Sequence, residues 1–165
     1  MNVTDAIRAR RSVRRYRAAE VPREKIEALL EAAMLAPSAV NSRPWEFYCT
    51  DKAEIKQRLM AAHPACRMLK TAAWAIVVCG RPDLQPSHGY WPQDCAAAVE
   101  NILLQAVELG LGTCWYGCYP SEPRTGQVQK VLGCTSVPLA LIAVGVPAEA
   151  PAQKGFYDPS RVTFL

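Results

Sequence analysis

Ala36-Pro37-Ser38-Ala39-Val40-Asn41-Ser42-Arg43-Pro44-Trp45 is a loop with proline near both ends, rich in small and amide-bearing side chains, that closes on a large aromatic ring. It separates two segments of different pattern. Before it, Ile26, Leu29, Leu30, Ala33 and Met34 recur at helical spacing and predict one buried stripe. That helix opens at Val21-Pro22, where the missing proline N–H costs little, and Pro37 stops it. After the loop, Glu46-Phe47-Tyr48-Cys49 predicts a strand.

Working outward, Thr4 is placed to cap a short helix running to about Arg11, and Arg14 to Glu20 reads as an extended connection. Asp51 with Glu54 has the spacing of a capping box for a helix reaching about Ala62. The continuous apolar run Trp74 to Cys79 predicts a central strand. A proline- and glycine-bearing loop, Pro82 to Pro92, leads into a long helix from about Gln93 to Leu109, which Gly110 is suited to end in a left-handed conformation. Its apolar positions exceed one stripe, so it is expected to be buried on more than one side. Asp94 reads as a helix-start residue. Strands are expected over Thr113 to Tyr119 and Leu139 to Gly145, with a helix from about Thr125 to Leu132 between them. The expected architecture is α+β, a mixed sheet flanked by helices. It forms a single domain over residues 1–165, with 148–165 a tail that has no core of its own.

Charge is concentrated at one end. Residues 1–25 hold eight basic side chains against three acidic ones, and the rest of the chain holds one more acid than base. The centre of this cluster is Arg10-Arg11-Ser12-Val13-Arg14, where guanidinium forks and a hydroxyl suit phosphate oxygens. The same cluster also suits a solvated helix face or a nucleic-acid arm, although few aromatics are interleaved with it. No apolar run reaches a bilayer span and the first residues lead into charge, so a soluble, cytoplasmic protein is expected. The seven cysteines are odd in number, spread out and free of any Cys-x-x-Cys pair. They read as small buried hydrophobes, and no metal site is expected.

Together these residues resemble the FMN-dependent nitroreductase family, particularly its short single-domain members, over roughly residues 4 to 148. Arg10 to Arg14 is similar to that family's opening phosphate motif. Ala36 to Trp45 is similar to its Ala-Pro-Ser-x-x-Asn-x-x-Pro-Trp loop. Asp94, Glu100-Asn101 and Leu109 to Trp115 are similar to its long central helix and following strand. The resemblance implies an intertwined homodimer with FMN at each subunit interface. Arg10, Arg11, Ser12 and Arg14 would hold the phosphate and ribityl chain. Pro37, Ser38, Ala39 and Asn41 would border the ring, and Tyr116 and Gly117 would meet its far side through their backbone. The tail would cross the partner and supply a basic contact, Lys154 or Arg161. Two departures stand out: Phe156 occupies a position where some members are basic, and the long insertion of larger members is missing.

The implied activity is hydride transfer from NADH or NADPH to the flavin N5, then reduction of a nitroaromatic, quinone or similar small acceptor by a ping-pong mechanism. No protein residue is assigned as catalytic. Alternatives of the same fold are dehalogenation, flavin storage and flavin cleavage; a basic nucleic-acid-binding module is a different class altogether. Each residue also has a plainer reading. Ser12 suits a helix-end hydroxyl, Asn41 a turn, Tyr116 and Gly117 a strand end, and Trp45 and Trp115 the core. The loop Pro86 to Trp91 is placed either in the acceptor pocket or on the surface.

Overall fold

The computed structural model describes residues 1–85 and 89–165. In chain order the elements are α1 (Val3–Ala9), α2 (Arg23–Met34), β1 (Trp45–Thr50), α3 (Ala53–Ala62), β2 (Trp74–Gly80), α4 (Trp91–Glu108), β3 (Gly112–Gly117), α5 (Glu122–Leu132) and β4 (Val137–Gly145). The strands form one sheet in the order β1-β2-β4-β3. Every ladder is antiparallel, and an isolated parallel bridge between Ser12 and Thr113 adds the N-terminal segment beside β3. The α+β architecture read from the sequence is therefore present.

Strand alternation divides the core in two. On one face Ile76 and Val78 of β2 join Ala140, Ile142 and Val144 of β4 beneath α2 and α4. On the other, Ala75, Val77 and Cys79 join Leu141 and Ala143 beneath α3, the 3₁₀ segment Pro64–Lys70 and α5. A sheet covered on both faces explains why β2 and β4 are continuous apolar runs. Helix α4 is buried at Asp94, Cys95, Ala98, Val99, Ile102, Leu103 and Ala106. Its first residue, Trp91, lies so close to Gly80 that a Cβ there would come within 2.0 Å of the indole ring. This contact pins the start of α4 to the end of β2.

The helix boundaries correct several local readings. Asn2, not Thr4, caps α1, its side chain accepting from the Asp5 N–H at 2.9 Å. Pro22 precedes α2 as its N-cap and does not occupy its first turn. The Asp51–Glu54 capping box does not form, because Lys52 occupies the N-cap position and has no side-chain cap bond. Helix α5 starts three residues earlier than expected, at Glu122. Gly110 does end α4 with φ of +69°. Trp45 is buried as expected, but Trp115 is 37 % exposed, since β3 is an edge strand.

Candidate functional site

The N-terminal basic segment is tied down along its length. The Val13 N–H donates to the Thr113 carbonyl at 2.8 Å, the Arg17 N–H to Val146 at 2.9 Å, and the Ala148 N–H returns to Arg15 at 2.9 Å. Glu149 adds to this, its carboxylate accepting from the backbone N–H of Arg14 at 2.6 Å and of Arg15 at 3.1 Å. The tail is thereby laid beside the basic segment, although 148–165 contributes nothing to either core cluster.

Between them lies a cleft of about 490 Å³. Arg8, Arg10, Arg11, Ser12 and Arg14 line one wall and Lys154 the other, and no carboxylate residue is among its lining. Five cations around one opening with no acid between them form an anion-attracting concavity. The arginines are not equivalent. Arg11 is used structurally: its Nε donates to the Pro151 carbonyl at 3.1 Å, and its Nη1 to the carbonyls of Arg8 and Arg10 at 2.5 and 2.7 Å. Arg10 faces Glu100 at 3.6 Å. Arg14 makes one weak bond, to the Ser12 carbonyl at 3.3 Å, and no ion pair among the described residues; its charge also acts on the Tyr116 phenol. Of the two tail cations, Lys154 lines the cleft, while Arg161 lies outside its lining and pairs with Asp158 at 3.1 Å.

A second patch surrounds the end of β3. Tyr116 is half-buried, and its hydroxyl has no hydrogen-bond partner among the described residues. Burial, with Cys114 beside it, holds this phenol protonated well above the ordinary range; the Arg14 guanidinium acts against that rise, which makes Arg14 the link between cleft and strand. The Gly117 carbonyl accepts from His63 Nε2 at 3.0 Å and from Arg124 Nη1 at 2.9 Å. A carbonyl only accepts, so the His63 proton sits on Nε2. Its Nδ1 is left buried without a partner among the described residues.

Burial also lowers the His63 pKa, and the nearby Arg124 charge adds to that; the bond to Gly117 opposes both. The unfolded chain therefore takes up a proton near pH 6.5 where the folded chain does not, so stability rises with pH through this window. Thermal stability is expected to fall as pH drops from about 7 through 6.5 towards the lowered folded-state value. The measurement is the difference between the native chain and His63→Gln, with the glutamine variant losing that component. An identical pH profile for the two would exclude His63 as its source.

The third patch is the loop after α2. Val40, Asn41 and Arg43 all have left-handed backbones, with φ of 49°, 54° and 48°. None is glycine and Val40 is β-branched, so each costs on the order of 1–3 kcal/mol that surrounding structure must offset. The holding group is Asp94, buried in the first turn of α4, whose two oxygens accept from the Ala39 N–H at 3.2 and 3.1 Å. Buried Gln85 donates from Nε2 to Asp94 at 2.5 Å and to the Ser42 hydroxyl. The Ser38 hydroxyl accepts from the Arg43 N–H at 3.0 Å, closing the turn.

The chain thus gathers Arg10, Arg11, Ser12, Arg14 and Lys154 at one cleft. Pro37, Ser38, Ala39 and Asn41 sit on the α4-anchored loop, and Tyr116 and Gly117 at the end of β3; none of these six lines the cleft within one chain. Pro86, Ser87 and His88 of the suggested pocket loop lie outside the described residues. His63, Arg124, Gln85 and Glu149 carry polar roles that sequence reading did not find. The only advance signal was their residue type, since each acts on a group at least seven positions away, a backbone group for His63, Arg124 and Glu149 and two side chains for Gln85.

The amino-acid sequence matches the model of the nitroreductase family over residues 7–92 and 65–146. The chain belongs to the nitroreductase family. It is 42% identical over 164 residues, 98% of this chain and 86% of the other, to a Methanothermobacter thermautotrophicus protein provisionally named as an NADH dehydrogenase/NAD(P)H nitroreductase. A similarly named Parabacteroides distasonis crystal structure superposes with a TM-score of 0.93 at 36% identity, covering 98% of this chain and 96% of that one. A Desulfovibrio desulfuricans nitroreductase structure in complex with FMN superposes at 0.87 with 28% identity, covering 100% and 97%. Among the described residues no helix is long and apolar enough to cross a membrane.

Proposed function

We propose that this chain is an FMN-dependent oxidoreductase that takes hydride from NADH or NADPH and reduces nitroaromatic, quinone or similar small acceptors. The observation that carries this reading is the cation-only cleft at Arg10 to Arg14 and Lys154. Its donor set fits a phosphorylated cofactor, because guanidinium forks pair with phosphate oxygens and the Ser12 hydroxyl reaches a neighbouring one. FMN, when bound, supplies the redox chemistry, so no protein nucleophile is needed. The buried thiols suit that assignment: burial raises Cys66 to about 11 and Cys95 and Cys118 to about 12, which keeps them protonated and unreactive near neutral pH.

In this reading Arg10, Arg11, Ser12 and Arg14 hold the phosphate end and Lys154 or Arg161 adds a tail contact. Pro37, Ser38, Ala39 and Asn41 border the ring, and Tyr116 and Gly117 back it through their peptide groups. A single pocket serving nicotinamide and acceptor in turn gives ping-pong kinetics. The working unit is a homodimer, in which a second copy brings the loop and strand-end patches to the cleft. Apolar side chains left open on one copy support this: Val3 and Ile7 on α1, Trp115 on β3, and Phe156, Tyr157 and Phe164 on the tail. The tail then belongs to the same single domain over 1–165, docked on the partner.

Titration of the purified chain with FMN tests the reading directly. The expected result is quenched flavin fluorescence, co-elution as a yellow dimer, and bleaching by NADH or NADPH under anaerobic conditions. Deletion after Pro147 removes Glu149, Lys154 and one wall of the cleft, and is expected to release both cofactor and partner. A colourless monomer indifferent to FMN would overturn the proposal. A fully loaded truncated dimer would remove the tail from it.

A further inference from the structure

We propose that Asp94, bridged by Gln85, is a positioning residue that sets the shape of the Ser38 to Arg43 loop and thereby how the bound flavin ring is seated. The inference rests on the reading that this loop borders the ring. Three non-glycine residues in one short loop hold left-handed backbones, with Val40 at φ 49° and ψ 25°. Such a turn relaxes unless something outside it holds it. Within the loop there is one side-chain bond, from the Arg43 N–H to Ser38 Oγ at 3.0 Å. Two backbone bonds add to it, from the Asn41 N–H to the Ser38 carbonyl at 3.0 Å and from the Ser42 N–H to the Ala39 carbonyl at 3.1 Å. From outside the loop, both oxygens of Asp94 on α4 take the Ala39 N–H, at 3.2 and 3.1 Å, and Gln85 ties Asp94 to Ser42.

Asp94 is 8% and Gln85 2% exposed, so water does not compete for these bonds. The carboxylate oxygens receive three contacts from two nitrogens, the Ala39 backbone N–H and the Gln85 Nε2. The anchor itself is rigid, because α4 begins at Trp91 packed on Gly80. The loop is thus referenced to the sheet through a helix, not through its own flexible ends. The chemistry also gives a conservative variant. In Asp94→Asn the remaining carbonyl oxygen still accepts from Ala39. Its new Nδ2–H can meet Gln85 Oε1, which is buried and has no partner among the described residues.

The test compares the native chain with Asp94→Ala, Asp94→Asn and Gln85→Leu, each titrated with FMN. Amide hydrogen exchange is followed over residues 36–45, together with the visible flavin spectrum and single-turnover reduction by NADH. Losing the hydrogen bonds to this buried carboxyl group is expected to speed exchange across the loop about tenfold to a hundredfold in Asp94→Ala. The spectrum should shift and reduction should slow, while phosphate-end affinity, read by competition with inorganic phosphate, stays near native. Asp94→Asn should recover most of the native exchange and rate, and Gln85→Leu should fall between. If Asp94→Ala does not fold, Gln85→Leu against Asp94→Asn carries the comparison. Native exchange, spectrum and rate in both Asp94→Ala and Gln85→Leu would overturn the positioning role. A native chain that never binds FMN would instead overturn the function it rests on, even if loop exchange still responds to Asp94.

Discussion

Arg10→Ala combined with Arg14→Ala is expected to weaken FMN retention about a hundredfold or more. A hydrogen bond to a charged group contributes roughly 1.5–3 kcal/mol, and each 1.4 kcal/mol is tenfold in affinity. The two arginines line the same wall, so their effects are not strictly additive. Arg14 should carry the larger share, because its guanidinium has no carboxylate partner among the described residues, whereas Arg10 is partly engaged by Glu100. Arg11 is the wrong residue for this test: its bonds to Pro151, Arg8 and Arg10 hold the cleft together, and its loss would loosen the tail. The measurement is fluorescence titration at two salt concentrations. Native binding should weaken as salt rises, and the double variant should show a flatter dependence. Unchanged affinity in the double variant would dismiss this cleft as the phosphate seat.

Ile142→Ala is expected to destabilise the chain by about 2–5 kcal/mol. Ile142 is fully buried on β4, the strand between β2 and β3, on the face beneath α4. Its neighbours cannot close the gap: Ile76 stands opposite on β2 and Trp115 on β3, in register with it. Truncation therefore leaves a cavity under the helix that also carries Asp94. Chemical denaturation gives the size directly, and a change below about 1 kcal/mol would mean that this layer repacks. Loss of stability with intact FMN affinity would separate this packing role from the cleft.

Local signals read well where one segment decides its own form. The apolar runs at Trp74 to Cys79 and Leu139 to Gly145 became β2 and β4, and Gly110 ended α4 as its freedom at positive φ allows. The basic stretch Arg10 to Arg14 became one wall of the cleft, since clustered charge stays at the surface and stays close in space. Readings failed where several residues compete for one local role. Asn2 outcompeted Thr4 as a cap by two positions, and the Asp51–Glu54 spacing gave no box. Trp115 was read as core from its size, but its place on an edge strand is a property of strand order.

Asp94 marks the boundary between the two kinds of information. Its position near the start of a helix was legible, because acid in a first turn complements the helix dipole. That the same carboxylate grips Ala39, 55 positions earlier, was not. Periodicity, capping and charge clustering are written in neighbouring residues, so the chain alone determined the helices, the strands, the α+β class and the basic end. The joining of Lys154 to Arg14, of His63 and Arg124 to Gly117, and of Gln85 to Ser42 was decided only by the tertiary fold. Each unites groups that no local rule relates, and they meet because sheet order and helix packing leave them within reach of one another.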